Sequence, residues 1–284
     1  MTGIGLRNDP PPASKGKIER HVLAGSTGCP RISYLSAGSP EGVLVLFVHG
    51  SPGSADEWTS FLSDVPKGQY RIAIDRPGFG SSPTDEPVVA LADQADAIGR
   101  IIDAHRAKSP VLVGYSYGGP VVLRLAADRG QTIAGILLIG SAADPDLETV
   151  HVLQTLFACR PFRRALPGHL AVANAELIAL KGELETLSEK LPLLVSPVAI
   201  VHGSNDTLVP FGNVGYLRER LRNAPSLKLS VVEGADHFIP WSHRSRVEEA
   251  LGWLLGSVRN SVCGRGIVGP KEIPHGPPQG TQHP

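Results

Sequence analysis

The chain has 284 residues, and its 27 Lys and Arg residues balance 27 Asp and Glu residues. Hydrophobic residues make up 42% of the sequence, which is enough for a sizeable core and excludes a wholly disordered chain. The balanced charge excludes a basic footprint for nucleic acid over the chain as a whole.

The sequence also disfavours a membrane protein, a secreted protein and a metalloprotein. The purest apolar run, VLVLFV at 43–48, is far shorter than the roughly 20 residues of a membrane helix. The first residues contain no apolar core of a secretory signal. Cys29, Cys159 and Cys263 lie too far apart for a disulfide framework or a metal site. We therefore expect a cytoplasmic protein without a metal, a membrane partner or a nucleic-acid partner.

Regular alternation of strand and helix patterns dominates the middle of the chain. Strands are predicted at 32–36, 43–48, 70–75, 111–114, 133–139, 198–202 and 227–232, and helices at 88–107, 120–128, 212–222 and 246–258. This alternation predicts an α/β fold with a mostly parallel sheet and helices on both faces. Ligands in such sheets bind beyond the carboxyl ends of the strands. The Pro- and Gly-rich ends, 1–16 and 261–284, are predicted to be disordered tails.

One stretch interrupts the alternation. The residues between the strand ending near Gly140 and the strand starting near Val198 are too many for a plain connection. Helical patterns occur there at 147–158, 170–181 and 184–190. We interpret 141–195 as a helical cap inserted into a core that is formed by 17–140 and 196–260.

The sharpest local pattern is GYSYGG at 114–119, which follows a predicted strand and precedes a predicted helix. G-x-S-x-G in that context predicts a strained turn that lifts the serine Oγ above the sheet. Ser116 is therefore the candidate nucleophile. A phosphate-binding turn is the alternative, but the G-x-G-x-x-G pattern fails because position 116 is serine.

A serine nucleophile needs a general base, and that base needs an orienting acid. Asp206 and His237 each lie a few residues beyond a predicted strand, downstream of Ser116, as the turn requires. We assign His237 as the base and Asp206 as the acid. Asp144, just after ILLIG, stays open as an alternative acid, and His243 is a weaker alternative base.

The loop HGSPG at 49–53 is the candidate for stabilising a tetrahedral intermediate, because backbone amides in a tight Gly-rich loop can face the oxyanion. We expect the oxyanion hole to be formed by the amides of Ser51 and Tyr117. His49 and His202 are interpreted as structural turn residues, and Asp236 as an acceptor that caps its loop.

Five motifs occur in order: HGSPG at 49–53, DRPGFGSS at 75–82, GYSYGG at 114–119, HGSNDTLVP at 202–210 and GADHF at 234–238. On these motifs the chain resembles the α/β-hydrolase superfamily, in the serine-nucleophile, esterase-like branch related to epoxide hydrolases and proline iminopeptidases. The resemblance implies a doubly wound, mostly parallel sheet with a short helical cap inserted after strand 6. Epoxide hydrolases and haloalkane dehalogenases carry Asp where this chain has Ser116, so the resemblance favours esterases. The Asp75 motif is interpreted as structural.

An apolar pocket of modest size is expected, because apolar residues recur near helical spacing in the predicted cap. We expect five aromatic side chains to contribute to it: Trp58, Phe79, Phe157, Phe211 and Phe238. Arg160, Arg163 and Arg164 are interpreted as a solvated face.

These observations together predict a cofactor-free serine hydrolase. Its partner would be a small carboxylic ester, or a lactone or thioester, cleaved through an acyl-enzyme on Ser116. A C–C bond hydrolase, a cofactor-free perhydrolase and a slow-turnover ligand receptor stay open, because one fold and one triad serve several chemistries.

Overall fold

The computed structural model describes residues 17–25, 28–107, 109–149 and 166–264, with side chains up to residue 257. Within these ranges eight strands form one sheet in the order β1-β2-β4-β3-β5-β6-β7-β8. The strands are β1 (Glu19–Leu23), β2 (Ile32–Gly38), β3 (Val43–Val48), β4 (Gln69–Ile74), β5 (Val111–Tyr115), β6 (Gly135–Ile139), β7 (Val198–Gly203) and β8 (Leu227–Val232). The β1–β2 and β2–β4 pairs are antiparallel, and all other pairs are parallel. The mostly parallel sheet expected from the sequence is confirmed.

The α-helices within the described ranges are, in chain order, α1 (Thr59–Leu62), α2 (Leu91–Ala104), α3 (Gly118–Arg129), α4 (Gly168–Ser188), α5 (Gly212–Arg220), α6 (Ile239–Ser242) and α7 (Arg244–Gly264). The helices predicted at 88–107, 120–128, 212–222 and 246–258 correspond to α2, α3, α5 and α7. Among the described residues, no helix combines the length and the apolar character that crossing a bilayer requires.

The central strand β3 shows why the sheet is covered on both faces. Successive side chains of a strand point to opposite faces. Leu44, Leu46 and Val48 join one apolar cluster together with residues of α2 and α3, whereas Val45 and Phe47 join a second cluster with residues of α7. A run of apolar residues without polar alternation is therefore the expected sequence of this doubly covered strand.

The edge strand β1 was not predicted. Its residues are largely exposed and mostly polar, so it lacks the apolar alternation that reveals a strand. Arg20 nevertheless fixes it to the sheet, because its guanidinium donates at 2.7 Å to Asp75, which is fully buried. Asp75 also accepts the amides of Ala55 and Ser81, at 2.8 and 3.1 Å. The DRPGFGSS motif thus holds the loop after β4, as the sequence indicated.

The segment between β6 and β7 differs in part from the prediction. The two helices predicted at 170–181 and 184–190 form the single helix α4 of 21 residues. Gly182, which costs about 1 kcal/mol in a helix interior, does not end it. Leu184 and Leu187 are buried against the core and hold this half of the helix in place. The helix predicted at 147–158 lies almost wholly outside the described residues, and the cap boundaries 141–195 stay a prediction.

Candidate active site

The turn between β5 and α3 holds Ser116 in a strained conformation. Its φ is +54°, a left-handed value that non-glycine residues seldom adopt. Two hydrogen bonds hold the turn: the Ser116 amide donates to the Ile139 carbonyl at 2.9 Å, and the Gly119 amide donates to the Ser116 carbonyl at 3.0 Å. Such strain persists only where the surroundings enforce it, and it is common at functional sites.

Two glycines of the motif allow this turn to pack closely. A β carbon on Gly118 would collide with the Val48 carbonyl oxygen, and one on Gly119 would collide with the side chain of Ser141. The glycines therefore let α3 begin against the ends of β3 and β6. That close approach places Ser116 at the carboxyl edge of the sheet.

A second pair of loops brings His237 and Asp206 together. His237 follows β8 and Asp206 follows β7, and these strands are parallel neighbours. The Nδ1 atom of His237 lies 2.7 Å from Oδ2 of Asp206. Oδ1 of Asp206 accepts the amides of Leu208 and Val209, at 3.0 and 2.8 Å. Because Nδ1 is engaged with the carboxylate, Nε2 is the ring atom of His237 that remains able to accept a proton.

The electrostatics of Asp206 keep it ionised. Burial alone would raise the pKa of this carboxyl, but the hydrogen bonds from His237 and the Val209 amide outweigh it. The nearby His237 and His202 act in the same direction, so the pKa of Asp206 lies below its usual value. An ionised acid at this place stabilises a positive charge on the His237 ring.

The alternative residues make other contacts. Asp144 caps the short helical turn Pro145–Leu147 by accepting the Asp146 amide at 3.0 Å. His243 interacts through Nδ1 with the Ser242 hydroxyl at 2.9 Å. Geometry therefore favours Asp206 over Asp144, and His237 over His243.

One cavity of about 630 Å³ has both Ser116 and His237 at its surface. Ser116 and His237 line it together with Ser51 and Tyr117, the two residues whose amides were expected to form the oxyanion hole. The structure thus brings the predicted nucleophile, base and oxyanion loop to one place.

Within the described part of the chain, no group of three or more His, Cys, Asp or Glu residues is arranged to hold a metal.

Comparison with known proteins identifies the family of this chain. Residues 45–250 match the alpha/beta hydrolase family. The chain belongs to this family. The superfamily expected from the motifs is thereby confirmed.

Individual relatives of this α/β hydrolase carry several names. A Pseudomonas protein called 2-hydroxy-6-oxononadienedioate/2-hydroxy-6-oxononatrienedioate hydrolase is 24% identical over 257 residues, covering 76% of this chain and 88% of that protein. A dihydrolipoyllysine-residue acetyltransferase component of the acetoin cleaving system of Cupriavidus necator is 26% identical over 208 residues. That match covers 70% of this chain and 53% of the relative, so the chain spans about half of its length. The crystal structure of a putative aryl esterase from Burkholderia cenocepacia superimposes with a TM-score of 0.67 at 21% identity, covering 85% of this chain and 100% of that one, and shares the fold.

The aromatic lining of the hydrolase cavity differs from the prediction. Phe238 does line the cavity, but Trp58 is 1% exposed and packs in the core against Phe47 and Phe61. Phe79, also 1% exposed, lies against the His49 ring in the loop 49–53. These corrections share one cause: both rings fill space between the sheet and its loops.

The remaining two aromatic predictions have different outcomes. Phe211 lies against His202, with ring centroids 5.8 Å apart, and does not line the cavity. Phe157 lies outside the described residues, as do Arg160, Arg163 and Arg164.

Several lining residues of the hydrolase were not predicted. Tyr115 lies within the GYSYGG motif, and its position beside the nucleophile was the signal that could have found it. Trp241 and Glu57 carry no such signal, because their places depend on tertiary packing. The Trp241 indole N–H donates to the Glu57 carbonyl at 3.2 Å. Burial raises the pKa of the Glu57 carboxyl to about 7, although the charge of Arg76 and the Ser54 amide act in the opposite direction.

His49 stabilises the loop 49–53, of which it is the first residue. Its Nε2 accepts the Arg76 amide at 3.0 Å, and its Nδ1 lies 2.7 Å from the Gly50 carbonyl, which fixes a neutral tautomer with the proton on Nδ1. Burial and the charge of Arg76 hold the pKa of His49 well below its usual range. His49 therefore has the structural role expected from the sequence.

His202 and Asp236 also stabilise loops. Nε2 of His202 donates to the Val209 carbonyl at 2.9 Å and lies 3.5 Å from Oδ2 of Asp206. Asp236 accepts the Phe238 amide at 2.9 Å. Both residues thereby hold the loops that carry Asp206 and His237.

The amides of Ser51 and Tyr117 are the donors that the sequence predicted for an oxyanion hole. Neither amide donates a hydrogen bond to any partner among the described residues, although the neighbouring Ser116 and Gly119 amides both do. A backbone N–H without an acceptor in the protein is the kind of donor that an oxyanion hole uses.

Proposed function

We propose that this α/β hydrolase is a serine hydrolase that cleaves small carboxylic esters, or lactones or thioesters, through an acyl-enzyme on Ser116. One observation carries the proposal. Ser116, held at positive φ, lines the same cavity as His237, whose Nδ1 is paired with Asp206. A serine is a poor nucleophile unless a base removes its proton, and this arrangement supplies the base and its orienting acid.

The chemistry follows from the positions of these groups. His237 accepts the Ser116 proton on Nε2 while Oγ attacks the substrate carbonyl, and Asp206 stabilises the resulting imidazolium. The amides of Ser51 and Tyr117 bind the oxyanion, each contributing about 3–4 kcal/mol. The C–O bond then breaks and the leaving alkoxide takes the proton from His237. A water molecule releases the acyl group by the same steps.

The cavity favours small substrates with apolar groups. Its volume of about 630 Å³ lies in the range of small-molecule sites. Much of the wall consists of apolar side chains, which suit an acyl or alkyl group: Leu147, Leu177, Leu180, Leu208, Phe238 and Trp241.

A second candidate is hydrolysis of a C–C bond by the same triad. The observation that favours it is the similarity to the Pseudomonas hydrolase named above, which extends over 88% of that protein. A vinylogous 1,5-diketone is the substrate class that tests this candidate.

The first experiment combines a fluorophosphonate probe with mass spectrometry, using the wild type and Ser116→Ala in parallel. We expect a single adduct on Ser116 that the variant lacks. Turnover is then compared between 4-nitrophenyl esters of increasing chain length and a vinylogous 1,5-diketone. Faster cleavage of the diketone would favour the second candidate. Absence of both an adduct and ester turnover would contradict the proposal.

A further inference from the structure

A buried carboxylate from the segment between β6 and β7 touches the oxyanion loop. Glu176 of α4 is fully buried, and its Oε2 accepts the hydroxyl proton of Ser51 at 2.6 Å. Its Oε1 accepts from the side-chain amide Nε2 of Gln94 at 2.9 Å. An isolated buried carboxylate is strongly unfavourable, so its charge requires a partner.

Arg76 is that partner, and it also holds the loop. Its fully buried guanidinium forms an ion pair with Glu176. From the same side chain, Nε donates to the His49 carbonyl at 3.1 Å and Nη2 donates to the Gly50 carbonyl at 2.7 Å. The rings of Phe79 and Tyr117 each lie 4.7 Å from the guanidinium carbon. Arg76 thus fixes the two carbonyls that precede Ser51, while Glu176 fixes the side chain of Ser51.

We propose that Glu176 and Arg76 are positioning residues that orient the Ser51 amide in the oxyanion hole. This inference rests on the proposed function. The peptide unit that carries the Ser51 N–H also carries the Gly50 carbonyl, so a bond from Arg76 to that oxygen sets the direction of the N–H. The bond from Ser51 Oγ to Glu176 holds the same residue from its other side.

The network also determines what the Ser51 side chain offers to substrate. Its hydroxyl proton is committed to Glu176, so Oγ presents only lone pairs to the cavity. The backbone amide is therefore the donor of this residue. Arg76 balances the charge of Glu176, so the carboxylate does not oppose the negative charge that develops on the oxyanion.

A second buried arginine provides a matched control. Arg71 is 1% exposed and donates twice to Glu248, at 2.7 Å each. Its other partners are the Phe61 carbonyl and the Gln69 side chain, and none of these residues lines the catalytic cavity. Glu248→Gln therefore weakens the ion pair of a buried arginine, at a carboxylate that is 29% exposed, without touching the oxyanion loop.

The test uses full-length Ser51→Ala, Ser51→Thr, Glu176→Gln, Ser51→Ala/Glu176→Gln and Glu248→Gln. We measure kcat and KM with the best ester of the panel, the rate of fluorophosphonate labelling and the thermal midpoint. Ser51→Ala keeps the amide and the ion pair, so it isolates the positioning contact even if Glu176→Gln fails to fold. Ser51→Thr restores the hydroxyl.

We expect Ser51→Ala and Glu176→Gln to lower kcat about 10- to 100-fold with little change in KM, since the loss falls on the transition state. Ser51→Thr should recover most of the rate. The double variant should lose no more than the more damaging single variant, because Ser51→Ala removes a contact that Glu176→Gln also weakens. Glu248→Gln should lower the thermal midpoint and leave kcat unchanged.

The outcomes separate this inference from the proposed function. If the wild type is labelled on Ser116 and cleaves esters, but Ser51→Ala keeps kcat within twofold, the positioning role is overturned and the function stands. The positioning role is also overturned, and the function stands, if Glu248→Gln loses as much kcat as the other variants for the same fall in thermal midpoint. If the wild type shows neither labelling nor turnover, both proposals fail.

Discussion

Gly50 lies directly against the side chain of Ser116: a β carbon built on Gly50 would be 3.0 Å from the Ser116 Cβ and 3.4 Å from the Tyr115 ring. The contact follows from topology, because β3 and β5 are parallel neighbours whose carboxyl ends meet at one edge of the sheet. Any side chain at position 50 would therefore push the candidate oxyanion loop away from the candidate nucleophile.

Ser116→Ala and Ser116→Gly separate activity from backbone strain. Both variants remove Oγ, so we expect turnover to fall by at least about 10³-fold in each. Glycine accepts the φ of +54° without steric cost, whereas alanine does not. Urea unfolding should therefore find Ser116→Gly more stable than Ser116→Ala, by about 1 kcal/mol. Equal stability of the two variants would show that the turn carries no strain.

Asp206→Asn tests the orienting acid. An amide at this position changes the hydrogen bond to Nδ1 of His237 and favours the wrong tautomer, so we expect kcat to fall by about 10³- to 10⁴-fold. Asp144→Asn is the matched control, since Asp144 caps a turn and does not bond to His237. Stopped-flow or steady-state rates on one ester decide between them. A larger loss in Asp144→Asn would reverse the assignment.

Gly140→Ala tests how tightly the His–Asp pair is packed. Gly140 has a φ of +48°, and a β carbon there would lie 3.2 Å from His237 Nδ1 and 3.3 Å from Asp206 Oδ2. Gly130 has a φ of +56°, and a β carbon on it would meet no atom within 4 Å. Both alanine variants carry a backbone cost, because a positive φ is unfavourable for alanine, and the cost is larger at Gly130, whose ψ of −131° lies outside the left-handed region. We expect only Gly140→Ala to lower kcat as well, and equal kcat values in the two variants would contradict this.

Glu57→Gln tests the raised pKa of Glu57. Burial raises the pKa from its ordinary 4.5 to about 7, so the folded chain binds this proton more tightly than the unfolded chain. The Glu57 carboxyl therefore leaves the free energy of unfolding unaffected below pH 4.5. It lowers that free energy increasingly as the pH rises toward 7, and the reduction stays above pH 7. Glutamine has no such dependence.

At pH 8 we expect the free energy of unfolding of Glu57→Gln to exceed that of the wild type by roughly 1–2 kcal/mol. The difference is no larger because solvent reaches part of the Glu57 side chain and screens its charge. Urea unfolding of both proteins at about pH 4.5, 6 and 8 measures it. The other ionisable groups titrate equally in both proteins and cancel in the difference. A difference that does not change with pH would refute the shift.

Motifs anchored to strand ends were the part of the site that could be predicted from the sequence. Ser116, Asp206 and His237 each follow an apolar β-rich run, and parallel strands carry their carboxyl ends to the same edge. Asp206 could not be separated from Asp144 in the sequence, because both follow strands. The 2.7 Å contact with His237 separates them in space.

The walls of the cavity were beyond sequence reasoning. Trp58 and Trp241 have the same chemistry, yet Trp58 fills the core and Trp241 lines the cavity. Their difference depends on which helix turn faces the sheet, which periodicity does not reveal over such short elements. β1 was missed because an exposed edge strand has no buried face. The continuity of α4 was also missed, because the burial of its leucines outweighs the destabilising effect of Gly182.

The Arg76–Glu176 pair joins two parts of the chain that chimeric proteins would separate. Exchanging the residues between β6 and β7 for those of a relative would remove Glu176 and leave a buried guanidinium without the counter-charge that this residue supplies. Breaking a buried pair in this way costs about 3–5 kcal/mol. A transplanted segment therefore has to bring an acid to the same place, or Arg76 has to be replaced together with it, so that the two positions are inherited as a unit.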